Sequence, residues 1–473
     1  MKYTILVNKQ NPFKENFLKK INLIETKDIN DEITYVEEKT YEQYLKLKEF
    51  LLEKNLTIGI DSSYRSLENQ QEIYDRFIEI YGKDYADQVV AKVGTSEHHT
   101  GLAIDIGIFY KDHFLEDNIE LMEHEDIYRE MHKYLHKFGF ILRYQKGKEE
   151  ITGYPYEPWH IRYVGITPAT IMYENNLTLE EYLQDFGTVL YINKPKDITS
   201  FDVVNEVSKT FGIKRVGHTG TLDPLATGVM LVAVGKATKI VELLTAEDKE
   251  YIAGVTLGIK TDTYDIEGTI LGKKEVPKDI NIKETISTFK KTYLQEVPIY
   301  SAIKVNGKKL YDYARNNEYV ELPKKEVTIK EIELLEENNN TFTFKTLVTK
   351  GCYIRSLIQD IGKSLNTLAT MNSLIRTKQG LITIEETNSL EEIKNNKITL
   401  HKIEDVLNYD VIIVDDSLEF KIKNGVKIKD NWNIKDKVIF KNKENRLLGI
   451  YEKEDEQLRV WKNFVWHLSH YMV

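Results

Sequence analysis

Two histidines and an aspartate stand at spacings that could hold a metal. His98 is followed seven positions on by Asp105, and far downstream Glu157, Pro158 and Trp159 lead into His160. Two His and one Asp suit catalytic zinc, because three protein ligands leave a fourth position for water. A metal lowers the pKa of that water toward neutrality, and a nearby carboxylate can take its proton. Glu157 is the carboxylate at hand. The same residues also read as a surface pair, His98 and His99, beside an ordinary strand carboxylate, and spacing leaves both readings open. A second chemical feature is the loop 217–228, dense in Gly, Thr and Pro, with one carboxylate, Asp223. It is not a phosphate-binding P-loop: Lys236 is followed by Ala237, and Met230 occupies the required first Gly position. Asp223 reads as a turn residue or as a catalyst on a backbone that a ligand can approach. Arg355 is the third feature. Only 11 of the 65 basic residues are Arg, so Lys serves wherever a generic cation suffices.

The elements that must position these groups follow from periodicity. In 102–106 the alternation sends Leu102, Ile104 and Ile106 to one face and Asp105 to the other, away from the core. Glu157 and His160 would face opposite ways in a regular strand, so Pro158 must mark an irregularity if both converge. Val189 to Ile192 reads as a strand ending at Lys194 and Pro195, with Ser200 placed to cap a helix. Arg355 opens a helix whose apolar residues Ile354, Leu357, Ile358, Ile361 and Leu365 keep the 3.6 period, and it lies off that stripe. A cation in a first turn opposes the helix dipole at about 0.3–1 kcal/mol. A carboxylate partner would offset that cost and stay ionised.

The chain has 473 residues, and roughly 150 residues per domain suggests three domains. With 41% hydrophobic and 30% charged residues, the composition excludes a disordered or low-complexity chain. One cysteine, Cys352, excludes a disulfide scaffold and a Cys-rich zinc site, and fits a reducing compartment. A net charge of -10 argues at first against a nucleic-acid partner, but the average conceals two parts. Residues 1–185 carry 22 Lys and Arg against 34 Asp and Glu, whereas the remainder carries 43 against 41. No apolar run approaches the roughly 18 residues of a membrane span, and no export signal is evident. A cytoplasmic chain with no membrane partner, acting as a monomer, is expected. The helix-like stretch 178–185, then Gly187 and an extended run, marks the junction. After about residue 405, strand-like pieces at 411–414, 437–440, 447–451 and 458–461, with a turn at 443–446, suggest a small all-β appendage.

Residues 1–185 resemble the VanY-like D-alanyl-D-alanine carboxypeptidases (M15 peptidases). The blocks are Ser63, Tyr64, Arg65 and Ser66 with Gln70; Ser96, His98, Gly101, Ala103 and Asp105; and Glu157 to His160 with Arg162, Tyr163, Val164 and Gly165. The resemblance implies a Zn2+ ion on His98, Asp105 and His160, Glu157 as general base, and Arg65 steadying the oxyanion of a D-Ala-D-Ala-terminated peptide. Charge stabilisation of that kind is typically worth ~3 kcal/mol per donor. His99 is implied to be a neighbour, not a ligand. Val93 departs from the Pro expected before Gly94. The missing export signal departs from relatives that trim cell-wall peptides outside the membrane.

Residues 186–473 resemble bacterial tRNA pseudouridine synthases of the TruB family. The blocks are Lys194 and Pro195; 218–228; Asp248, Lys249 and Tyr251 with Gly258 and 261–263; 297–302 with 306–311, Ala314 and Arg315; and 353–357. The resemblance implies that Asp223 is the catalytic carboxylate and Arg355 its ion-pair partner. Tyr251 would stack on the target uracil and assist proton removal at C5. Lys194, His218, Tyr300 and Lys304 would bind RNA. The substrate would be the T arm of tRNA, at uridine 55 in tRNA numbering, with no cofactor. Cys352 stands where Thr is common and reads as a small buried residue.

The expected architecture is α+β throughout: a zinc-peptidase domain over 1–185, a synthase domain with a mainly antiparallel sheet over 186–404, and a β-rich PUA-like RNA-binding extension over 405–473. The preferred reading is a fusion in which both sites work. A second keeps only the synthase active, with a metal-free interaction module before it. In a third, the peptidase is the selected activity and the RNA module tethers it.

Overall fold

The computed structural model describes residues 2–115 and 118–464, so the last residues of the expected third domain, 465–473, lie outside the described residues. The chain forms two compact units, 1–186 with 206–215, and 187–205 with 216–473. Both mix helices and sheets. Among the described residues no helix is long and apolar enough to cross a membrane.

The first unit is built on a five-stranded antiparallel sheet in the order Ile58–Ser62, Ala103–Tyr110, His160–Tyr163, Phe140–Leu142, with His113–Leu115 also on Ala103–Tyr110. One face carries Ile58, Ile60, Ile104, Ile106 and Ile108 into a core closed by two helices. Glu38–Leu52 contributes Tyr44, Leu47 and Leu51, and Glu125–Leu135 contributes Tyr128, Met131 and Leu135, each set at helical spacing. Burying each such side chain stabilises the unit by roughly 1.5–3 kcal/mol. The Glu37 side chain caps the first helix by accepting from Thr40 N.

The alternation in 102–106 separates the faces as expected, with one addition. Ala103 and Asp105 are buried as well, so the face away from the apolar core is an enclosed polar site.

The second unit holds a ten-stranded sheet whose main path runs Thr292–Glu296, Lys324–Asn338, Thr341–Val348, Lys249–Leu257, Ala369–Gln379, Thr227–Gly235, Gly187–Lys194, Asn388–Ser389. Most pairings are antiparallel. Thr227–Gly235 with Ala369–Gln379 is parallel, as is Asn388–Ser389 with Gly187–Lys194. At the first of these, a Cβ on Gly228 would fall 2.2 Å from Arg376 O, so only Gly allows the two backbones to meet.

The strands Asp410–Ile413, Lys437–Lys441, Leu447–Glu454, Gln457–Asn463 and Ile428–Lys429 form a separate five-stranded sheet. It is nonetheless not detached. Ile439, Ile450 and Phe464 share a core with Val189, Val229 and Ala233, which is why the chain divides in two and not in three.

One boundary differs from expectation. The helix Ser200–Phe211 is capped by Thr199, not Ser200: Thr199 Oγ1 accepts from Asp202 N at 3.1 Å, and Asp202 Oδ2 accepts from Thr199 N at 2.9 Å. Asp202, three residues after Thr199, selects that hydroxyl for the reciprocal pair. Ser200 is thereby released to bond both the N–H and the C=O of Leu222, beside Asp223.

Candidate active sites

In the first unit, Asp105 and His160 face each other across adjacent strands, and His98 comes from the short helix Glu97–Thr100. One ligand atom from each lies within 4.8 Å of the others, and all three residues are buried. The His98 Nδ1–H donates to Ser63 O at 2.5 Å, because a carbonyl can only accept; this leaves Nε2, 3.2 Å from Asp105 Oδ2. His160 instead presents Nδ1, 3.0 Å from Asp105 Oδ1 and 3.5 Å from Glu157 Oε2. Pro158 and Trp159 form a turn, and the strand begins only at His160, so Glu157 and His160 converge. His99 is fully occupied: Nδ1 donates to Arg65 O and Nε2 accepts from Gly94 N, so neither nitrogen is available to a metal.

The electrostatics match this geometry. Burial pushes Asp105 up, but His98 and His160 outweigh it and hold the carboxylate well below its usual range. Burial, with the charge of Arg65, lowers His98 to about 4. Burial raises Glu157 to about 7, which suits proton transfer near neutrality. Against burial, Asp105 raises His160 to about 9. Two histidines gathered on one carboxylate, with Asp105 Oδ1 buried and, among the described residues, in no well-aligned hydrogen bond despite His160 Nδ1 at 3.0 Å, are a donor set that a divalent cation satisfies. Arg65 reaches in from the side, donating to Ser62 Oγ and, at 2.9 Å, to Asp105 Oδ2.

Behind the site is a charged layer to which sequence reasoning gave no role. Arg143 and Arg162 are fully buried on Glu97 at 2.9 and 2.7 Å, and Arg143 also grips Glu180 at 2.6 Å.

In the second unit, Arg355 meets Asp223 as a fork: Nε–Oδ2 is 2.8 Å and Nη2–Oδ1 is 3.0 Å. Two further N–H groups donate to Thr263 O and Tyr300 O. Arg355 is buried, and the carboxylate partner that offsets its place in a first turn is Asp223. Tyr251 is buried at a β-bulge of Lys249–Leu257, directly opposite Arg376, and burial raises its phenol above the ordinary value. Bulges re-aim side chains beside reactive groups.

The expected RNA residues divide. His218 stands at the start of the loop, its Nδ1 accepting from Gly220 N. Tyr300 lies beside Arg355 through its backbone. Lys304 is exposed on a two-stranded hairpin, and among the described residues it pairs with no catalytic group. Lys194 departs from expectation. It is fully buried and donates to Pro195 O, Ile198 O and Pro224 O, so it holds the loop from inside and does not face solvent. Burial lowers its ammonium to about 8.

Arg376, also missed, is fully buried and donates to Gly220 O, Thr221 O and Gln379 Oε1. The scarcity of Arg was the signal available for Arg143, Arg162 and Arg376 alike. Cys352 has its thiol pushed up to about 12 by burial, an inert group.

Residues 208–354 match the family described as TruB family pseudouridylate synthase (N terminal domain), and residues 33–166 match D-alanyl-D-alanine carboxypeptidase. The tRNA pseudouridine synthase B of Fusobacterium nucleatum is 45% identical over 281 residues, spanning 57% of this chain and 96% of that relative. The chain belongs to the tRNA pseudouridine synthase B family. The same enzyme from Clostridium tetani is 42% identical over 271 residues, covering 56% of this chain and 92% of the relative. This family member carries in addition a VanY carboxypeptidase domain at 33–166. Among solved structures, VanYB in complex with D-alanine-D-alanine is 34% identical, covering 39% of this chain and 98% of that one, with a TM-score of 0.33.

Proposed function

We propose that the second unit isomerises uridine 55 in the T arm of tRNA to pseudouridine, with Asp223 as the catalytic carboxylate. The observation that carries this reading is the Arg355 fork on Asp223, in a family whose curated members are tRNA pseudouridine synthases. The reaction breaks the N1–C1′ bond, turns the uracil and forms C5–C1′, so it needs a fixed carboxylate, an enclosed pocket and an extruded nucleotide. Extrusion costs a few kcal/mol, least for a base already outside a duplex. Arg355 keeps the Asp223 carboxylate aimed, and Tyr251 offers a ring to the uracil and assists removal of the C5 proton. His218 and Tyr300 contact the RNA, and Lys304 meets its backbone. The five-stranded C-terminal sheet serves as a PUA-like extension of that surface. Tritium release from 5-labelled uridine in a T-arm transcript tests this: release is expected from the wild type and lost in Asp223→Ala. No release from the wild type refutes it.

The first unit, in the same reading, removes the terminal D-Ala from D-Ala-D-Ala peptides, with zinc held by His98 Nε2, Asp105 and His160 Nδ1. The convergence of these three buried groups carries it. Zinc bound there would supply Lewis acidity toward the peptide carbonyl. Glu157 takes a proton from water and returns it to the leaving amine. Arg65 places its charge beside the carbonyl oxygen as negative charge develops. Metal analysis of the purified chain should find about one zinc, lost in His98→Ala, together with D-Ala release. A metal-free chain that releases no D-Ala makes the unit an interaction module. Both activities belong to a cytoplasmic setting, where tRNA is at hand.

A further inference from the structure

The proposed metal site leaves one nitrogen without a function. His160 turns Nδ1 toward Asp105 and Glu157, which sends Nε2 the other way, into the interior. There it faces Glu97 Oε2 at 3.9 Å. Among the described residues neither His160 Nε2 nor Glu97 Oε2 has a hydrogen-bond partner, and both are buried. Leaving a buried donor and a buried acceptor unmade is costly, because each has given up its water partners on folding. Oε2 is the acceptor that His160 Nε2 faces, about 1 Å beyond ordinary hydrogen-bond reach, while the unpartnered Arg162 Nη1 lies against the other oxygen of the same carboxylate.

The surroundings fix Glu97 in place. Its other oxygen, Oε1, takes Arg143 Nε at 2.9 Å and Arg162 Nη1 at 2.7 Å. Arg162 lies two residues after His160 on the same strand, so both side chains leave the sheet on one face. Its Nη2 donates to Tyr3 O and Ile5 O and its Nε to Tyr163 O, while the buried Nη1 meets Glu97 as an ion pair and, among the described residues, makes no hydrogen bond. Arg143 is clamped by both oxygens of Glu180, which is itself held by Asn8. With two Arg and two Glu, the cluster is neutral only when both carboxylates are ionised. A removed partner would leave an uncompensated buried charge.

We infer that Glu97 is a positioning residue for the zinc site: Oε2 takes the Nε2–H of His160, which fixes the tautomer and commits Nδ1 to the metal. Arg143 and Arg162 hold the carboxylate in place for this. The dipeptide Glu97–His98 then supplies one ligand and the orienting group of another. A carboxylate behind a ligating imidazole fixes the ring and raises its basicity, and losing it typically costs 10–100-fold in metal affinity. This inference rests on the zinc-peptidase reading above, and its test separates the two.

The full chain is stripped of metal, and zinc affinity is measured by competition with a chromophoric chelator for wild type, Glu97→Gln and Glu97→Asp. Glu97→Gln removes the charge and can destabilise the cluster. Glu97→Asp keeps the charge opposite both arginines while withdrawing the carboxylate by one methylene. Melting of the metal-free proteins reports folding, and the absorption spectrum of the cobalt-loaded proteins reports ligand geometry. Glu97→Asp is expected to melt close to wild type yet bind zinc at least 10-fold more weakly, with an altered cobalt spectrum. Glu97→Gln should lose up to 100-fold. Zinc affinity within threefold of wild type in Glu97→Asp, with an unchanged cobalt spectrum, overturns the role of Glu97 and leaves the zinc reading standing. Failure of the wild type to bind zinc overturns both.

Discussion

Replacing Arg355 by Lys keeps the charge and removes the fork. The guanidinium makes four contacts of 2.8–3.0 Å, two to the Asp223 oxygens and one each to Thr263 O and Tyr300 O. An ammonium on a shorter reach can keep one carboxylate oxygen and cannot hold the carboxylate plane. Losing one charge-assisted bond removes roughly 1.5–3 kcal/mol. The Asp223 side chain is 30% exposed, so water softens the loss toward the lower end. At about 1.4 kcal/mol per tenfold, the rate of the chemical step should fall about 10- to 100-fold. Single-turnover tritium release from a 5-labelled T-arm transcript measures that step, and filter binding measures RNA affinity separately. The expected outcome is RNA affinity within threefold of wild type with the rate reduced as stated. A rate within threefold of wild type, or a loss accounted for entirely by weaker RNA binding, refutes the view that Arg355 acts by orienting Asp223.

Lys194→Met should leave three loop carbonyls without their donor, costing about 2–4 kcal/mol and slowing isomerisation through a loosened Asp223 loop; calorimetry beside the tritium assay checks this, and an unchanged melt contradicts it. Gly101→Ala forces a residue with φ of 66° to carry a Cβ placed 2.6 Å from Leu23 Cδ2, so the turn between His98 and Asp105 should distort. A stability loss of at least about 1 kcal/mol and weaker zinc binding are expected together. Glu247 is raised by burial from 4.5 to about 7, so between those values the folded chain holds a proton that the unfolded chain releases. That contribution is complete below pH 4.5 and is lost as pH rises through 7. Glu247→Gln should therefore stabilise the protein by about 1 kcal/mol at pH 8, after discounting for partial exposure, and not at pH 4.5. Thermal melts at the two pH values decide it.

Local periodicity made the strand of Asp105, the helix of Arg355 and the C-terminal strands legible, because side-chain direction follows from spacing of two or 3.6. It could not show that the polar face around Asp105 is enclosed, since burial there comes from His98 and His160, distant in sequence. Lys194 was expected among the RNA-binding residues for a related reason: a lysine at a strand's end is enclosed only when the chain returns and supplies Pro224 O from thirty residues on. Thr199 and Ser200 are adjacent hydroxyls, and only the position of Asp202 distinguishes the cap. Arg143 and Arg376 stand in no recognised block and Arg162 in one that gives it no role, because the groups that hold them, Glu97, Glu180 and Gly220, lie on other elements.

Asp105 and His160 are not only neighbours in a site; they are opposite rungs of one strand pair. Because strand faces alternate, a slip of a single residue would turn either group toward the apolar core and scatter the set. Metal capture at this trio would thus proofread sheet registry. A mispaired chain presents no chelating trio, so zinc would select correctly folded molecules from a mixture and hold them there.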